Sequence, residues 1–414
     1  MKKLTILLIL LGLVFWLSCQ REKNPVTPPV RGNIHPQVDI PWPSLANSPW
    51  PMFHHDPQST GRSPYRGPRK GRIKWTFKPG GTIYSAVVIG PDSTIYFPVT
   101  NWNNADSSGL YALSPNGKLK WWFQIPLVSE VQPLVAADGT IFIVGGYHLH
   151  LYAINPDGVL KNEFHFSFEL LTSMNIGKDG TLYFISDGNL CAVTQMGDLL
   201  WKIAGPNAFG PFNNAFSPDG RTLYLFDYRT KYYQISGLYA VGTDGRIKWR
   251  YPIEGDQGTM ESPLVDSDGT IYFGTTFGTS GLSDGSGFYS ISPQGKLNWK
   301  YSDVFYVGPT LNDKGYIFVD KSSENYLASF DYQGNLRWQK REEYSLSQII
   351  SDNEGIVYFG SKNSVFAYTS DGKMLWRIPF DGSVTRVACP AIGWDGTLYV
   401  GTFAGKDSKL YAIE

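Results

Sequence analysis

Eight times along the chain a short apolar run stops at an Asp- or Asn-headed turn. It then restarts as an alternation of β-branched or aromatic residues with small ones. Asp92, Asp138, Asp179, Asp219, Asp268, Asp313, Asn353 and Asp395 head these turns, at intervals of 40–49 residues. A period of about 40–50 residues belongs to units of four strands. Each unit has the same internal grammar. An apolar run such as Ser262-Pro263-Leu264-Val265 precedes the turn, and Thr270-Ile271-Tyr272-Phe273 follows it. A third strand is typified by Leu110-Tyr111-Ala112-Leu113, and a second turn, Asn116-Gly117 or Asp244-Gly245, leads to a fourth such as Arg246-Ile247-Lys248-Trp249. Asp-Gly and Asn-Gly between alternating strands signal tight hairpins, because the turn needs positive φ.

The fourth strand carries a tryptophan at Trp75, Trp121, Trp201, Trp249, Trp299, Trp338 and Trp376. A large ring at a fixed place in each unit suits sheets that bury their faces only against neighbouring sheets. The second unit breaks the rule, with Asn162 at that place and Phe164 or Phe166 as the substitute. Trp75 lies before the first complete unit, and the last unit ends at Leu410-Tyr411-Ala412-Ile413 without a fourth strand. The segment Arg72 to Phe77 therefore completes it. The sequence predicts an all-β, eight-bladed β-propeller of four-stranded antiparallel blades, closed by an N-terminal strand completing the last blade, over residues 72–414.

Composition agrees: 44 glycines, 15% aromatic and only 17% charged residues favour strands and turns over helices. Lys+Arg and Asp+Glu both number 36, so no basic excess is available for nucleic acid. Cys191 and Cys389 occupy apolar or small repeat positions and read as two buried thiols.

The chain opens with Met1-Lys2-Lys3 and an uncharged run from Leu4 to Leu17. At about 1.5 Å per residue this run is too short for a hydrocarbon core of about 30 Å. It reads as a signal peptide over 1–18. Cys19 directly after Leu17-Ser18 resembles a bacterial lipobox, with Trp16 and Leu17 departing from its usual residues. The resemblance implies lipidation at Cys19, and Gln20 favours the outer membrane. Residues 19–49, rich in proline, read as an extended tether, and 50–71 as a lead-in segment.

The stretch Trp50-Pro51-Met52-Phe53-His54-His55-Asp56-Pro57-Gln58-Ser59-Thr60-Gly61-Arg62-Ser63 and the pattern from Leu110 to Trp121 resemble the PQQ-repeat, quinoprotein-dehydrogenase-like β-propeller superfamily. Two functions are implied by that resemblance. The quinoprotein enzymes use a quinone, calcium and an adjacent pair of cysteines; no two cysteines here are adjacent, so neither a cofactor nor catalysis is expected. The BamB-like lipoprotein branch implies instead a non-catalytic envelope scaffold, monomeric as a propeller, working with an envelope or outer-membrane protein. A surface module for polysaccharide or peptide is the alternative.

Other chemical signals are weak. Asp266-Ser267-Asp268-Gly269 looks like the start of a calcium loop, but no ligand series continues. His54-His55-Asp56 could suggest a metal or a base, but no partner is placed beside it by spacing. Three loops between second and third strands are long: Val99 to Gly109, Asp227 to Gly237 and Thr275 to Gly287. Their Trp102, Asn103, Tyr228, Tyr232, Tyr233 and Phe277 are the candidate interaction residues, because variable loops on a rigid scaffold carry binding. The blade-to-blade connections on that face hold Glu130, Glu169, Glu254, Asp256 and Glu261, together with Asp303, Glu342, Glu343 and Asp381, against Lys78, Arg341 and Arg386. They predict an acidic mouth suited to basic partners.

Overall fold

The computed structural model describes residues 32–414 apart from 84, 102–106, 127–131, 147–149, 167–173, 206–208, 210–213, 228–233, 259–261, 277–285, 306–307, 322–324, 343–346 and 382–383. The strands form eight antiparallel sheets: seven are four-stranded and pair consecutive strands in chain order, and the eighth is five-stranded and sets the first strand of the chain beside the last. Blade 1, for example, runs Val88–Ile89, Ile95–Val99, Gly109–Leu113 and Leu119–Gln124. Blade 8 is completed by Ile73–Phe77, which pairs with Leu410–Ile413, Trp75 lying opposite Ala412. Backbone bonds between Arg72 and Glu414 lock the seam. The ring therefore closes as the repeat predicts. Gly405–Asp407 forms a short helical turn, and among the described residues no helix is long and apolar enough to cross a membrane.

The repeated tryptophan joins blade to blade. Trp121 of blade 1 donates its indole N–H to Pro156 O in blade 2 at 2.9 Å, and Trp338 of blade 6 does the same to Ser370 O in blade 7 at 2.8 Å. Beneath each ring lies a glycine of the following blade: a hairpin-turn glycine beneath six of them, and Gly71, just before the closing strand, beneath Trp376. Between blades 2 and 3, where Asn162 replaces the tryptophan, Phe164 takes the place: the Phe164 ring lies against Gly197. Phe166, the other candidate, packs edge-on against Phe184 instead. A second repeated contact ties the fourth strand to the first turn of its own blade, as in Lys120–Asp92 at 2.9 Å and Lys161–Asp138 at 2.7 Å.

Blade 4 departs from the repeat. Its outer hairpin, Gln234–Gly242 with Ile247–Gly258, is longer than in any other blade, and its ladder shifts register between Ile235 and Gly237. Glu254 and Asp256, expected in a blade-to-blade connection, lie on this outer strand.

Candidate functional site

The segment before the ring has a larger structural part than its composition suggests. From residue 32 it lies across the short-turn face. His35 N donates to Lys314 O in blade 6 and Gln37 N to Asp313 O, both at 2.9 Å. Trp42 Nε1 donates to Ile176 O in blade 3 at 2.7 Å, Lys178 stands 4.9 Å over the Trp42 ring, and Ala46 N reaches Val135 O in blade 2. Residues 32–49 are thus a docked strap, although their composition reads as a free tether.

Residues 50–63 then turn back around the propeller axis. Innermost strands expose one edge there, and buried N–H groups need acceptors. Ile89, Val135, Phe216, Val265, Leu311 and Ser351 donate in turn to the carbonyls of Trp50, Pro51, Pro57, Gln58, Thr60 and Gly61, at 2.7–3.2 Å. In blade 3 the Asn175 side chain supplies the bond to Pro57 O, at 3.1 Å. One turn of chain therefore caps the inner edges of blades 1 to 7. Sequence reasoning missed this plug because its bonds run through backbone carbonyls that leave no side-chain signature. The apolar series Trp42, Leu45, Trp50, Met52 and Phe53, all buried, was the signal available.

His54, His55 and Asp56 sit in this plug. The His54 Nδ1 faces Ser59 O and Ser59 Oγ at 3.4 and 3.2 Å. Burial pulls its imidazole down to about 4, so it is neutral at ordinary pH. Burial pushes the Asp56 carboxyl upward, but bonds from His55 and Thr60 hold it below the usual range. A small pocket beside it is lined by Met52, Phe53, Asp56, Ser59, Met174, Asn175 and Asn214. The trio fastens a turn. Asp266 is likewise a turn carboxylate: Oδ1 accepts the N–H groups of Asp268 and Thr270 at 3.0 and 2.9 Å, and Oδ2 accepts Tyr272 OH at 3.1 Å.

On the loop face, Trp102, Asn103, Glu130, Glu169, Tyr228, Tyr232, Tyr233, Glu261 and Phe277 lie outside the described residues, as does Cys19. The described acids there are partly neutralised. Asp303 pairs with Lys321 at 2.8 Å, Asp381 with Lys409 at 2.9 Å, and Glu342 accepts Tyr368 OH at 2.6 Å. Lys321 ends a strand and Lys409 directly precedes one, so both were absent from a count of connection residues. At the root of the blade 4 loop, fully buried Asp227 accepts the N–H groups of Ser236 and Gly237 at 2.7 and 2.8 Å, fixing the base of that loop.

Cys191 lies in the third strand of blade 3 and Cys389 in blade 8; both are free and buried, and burial pushes the Cys191 thiol up to about 11. An adjacent cysteine pair such as clamps a quinone cannot be assembled from them.

Eight four-stranded blades, seven ring-on-glycine tryptophans and a terminal strand closing the circle define a PQQ-repeat β-propeller. The family profile described as outer membrane protein assembly factor BamB matches residues 67–331, more than half the chain. The chain belongs to that family. Among solved structures it is similar to a europium-containing methanol dehydrogenase, with a TM-score of 0.66 at 12% identity over 88% of this chain and 98% of the other. It is also similar to BamB from Moraxella catarrhalis, with a TM-score of 0.61 at 12% identity over 83% and 99%. These likenesses show the fold. No curated protein sequence matches the chain.

Proposed function

We propose that the protein is a non-catalytic scaffold of the bacterial cell envelope, exported and lipid-anchored at Cys19, that holds a partner in outer-membrane protein assembly. Membership of the family described as outer membrane protein assembly factor BamB carries this reading. Two further observations support it. The cysteines stand in different blades, where a quinone clamp needs them adjacent. The inner edges of blades 1 to 7 are capped by the chain itself, which makes a rigid platform whose free surfaces are the loop face and the blade rims. The test is crosslinking of the tagged full chain in native membranes, followed by identification of what is captured. Capture of an outer-membrane assembly protein is the expected result. A clean monomer without partners counts against the scaffold, and dye reduction on adding PQQ and calcium counts against the absence of catalysis.

A further inference from the structure

The chain contains its own reference for surface residues, because one blade corner is written eight times. The corner is a glycine and the residues leading from it into the fourth strand; in seven blades it closes the hairpin between third and fourth strands, and in blade 8 it is Lys70-Gly71-Arg72 ahead of the closing strand. The residue before that glycine is an amide, a carboxylate or a lysine in seven blades, as in Asn116 and Asp157, but Met196 in blade 3. The residue after it is charged or an amide in seven blades, as in Lys118 and Asp198, but Val159 in blade 2. The third residue after it is Lys, Arg or Asn in six blades, but Leu200 in blade 3 and Leu375 in blade 7. Met196, Val159 and Leu200 are 66%, 58% and 52% exposed, and exposed Leu199 and Leu160 lie beside them. No other pair of adjacent blades gathers three such replacements.

The Leu200 position matters for the strand edge. In blades 1, 2 and 8 its lysine bonds to the first-turn aspartate. Such lysines also discourage strands from adding to an open edge. Blade 3 has lost this guard on Leu199–Ala204, which among the described residues pairs only with Asn189–Val193 and leaves its other edge without a strand. Three carboxylates at the corner take their bonds from backbone and hydroxyl groups. Asp157 accepts Val159 N, Asp179 accepts Thr181, and Asp198 accepts Thr194 Oγ1, and no ion pair to a base is seen for any of the three among the described residues. Lys161 is paired with Asp138, while Lys178, bonded to Pro218 O, and Lys202 on the strand keep their charge, leaving three carboxylates to two bases.

We propose that the outer edge of blade 3 is a docking strand for an extended segment of another protein, one that alternates apolar residues and carries a lysine or arginine. The segment adds a fifth strand along Leu199–Ala204, its apolar residues cover Met196 and Leu200, and its base meets Asp179 and Asp198. The proposal rests on the scaffold reading and names the surface it uses.

The test places a photo-crosslinking residue at Lys202 of the full chain in native membranes, with a second variant of the full chain carrying it at Arg386 on the loop face. Both are made with and without Met196→Asn plus Leu200→Lys, which restore residues that other blades carry at these positions and so keep the fold. The expected result is an adduct at 202 mapping to one extended segment with a basic residue, its yield falling at least tenfold in the double variant while thermal unfolding is unchanged. An undiminished adduct, adducts with lipid alone, or an adduct with blade 3 of a second copy overturns it. Capture of a protein from 386 but not from 202 overturns the docking strand and leaves the scaffold standing; capture from neither position overturns both.

Discussion

The Trp75 ring of the closing strand lies against Gly117 of blade 1, and its indole N–H donates to Pro115 O at 2.9 Å. This one contact joins the last-completed blade to the first. A Cβ built on Gly117 would stand 2.7 Å from Trp75 Cδ2, and the residue has φ +80. Gly117→Ala meets both a left-handed backbone and a clash, together about 2–4 kcal/mol. The variant is expected to lower the urea midpoint with an unchanged slope. A midpoint equal to that of the unmodified protein would show that the seam does not depend on this stack.

Blade 2 offers the reciprocal experiment. Phe164, not Asn162, fills the space over Gly197. Phe164→Ala is expected to cost about 2–3 kcal/mol, at the low end for a large ring because Phe164 is only partly buried. Asn162→Ala is expected to cost no more than about 0.5 kcal/mol, as at an ordinary surface site. Equal losses in chemical denaturation would contradict the exchange of roles.

The eight turns and seven tryptophans made the ring legible, because both are local: a turn needs its glycine, and a ring needs a glycine to lie on. The plug was not legible. Its bonds join the carbonyls of Trp50, Pro51, Pro57, Gln58, Thr60 and Gly61 to strands far along the chain, and any residue supplies a carbonyl. The prolines of the strap misled for a related reason: they suit extended chain whether it is free or laid on a surface. The blade 3 corner was legible in principle. Met196 and Leu200 stand out once the eight units are compared position by position, a comparison that a search for loop variation passes over.

The buried His54 makes a pH prediction. Its imidazole titrates near 4 when folded and near 6.5 when free, so between these values the unfolded chain binds the additional proton. Stability from this residue is complete above about pH 6.5 and is lost as the pH falls toward about 4. The loss amounts to about 3 kcal/mol at 1.36 kcal/mol per pH unit. Asp56, held below the usual carboxylate range, adds a loss in the same direction at lower pH. His54→Gln is expected to flatten the slope of unfolding free energy between pH 6.5 and 4 relative to the unmodified protein. Parallel slopes would place the proton elsewhere.

The strap can be loosened without opening the ring. Trp42 is buried, bonded to Ile176 O and covered by Lys178, and its ring meets Phe216 at 5.2 Å between centroids. These contacts tie the strap to blades 3 and 4, while the plug from Trp50 onward has its own bonds to seven blades. Trp42→Ala removes about 3–5 kcal/mol of burial from the strap, which is enough to raise its open population by more than a hundredfold if the loss is local. Amide exchange at His35, Gln37 and Ala46 is therefore expected to accelerate by at least tenfold, while Phe97 and Tyr183 in the core strands keep their protection. If strap and core amides accelerate together, residues 32–49 belong to the cooperative unit of the propeller, and the strap folds and unfolds with the ring.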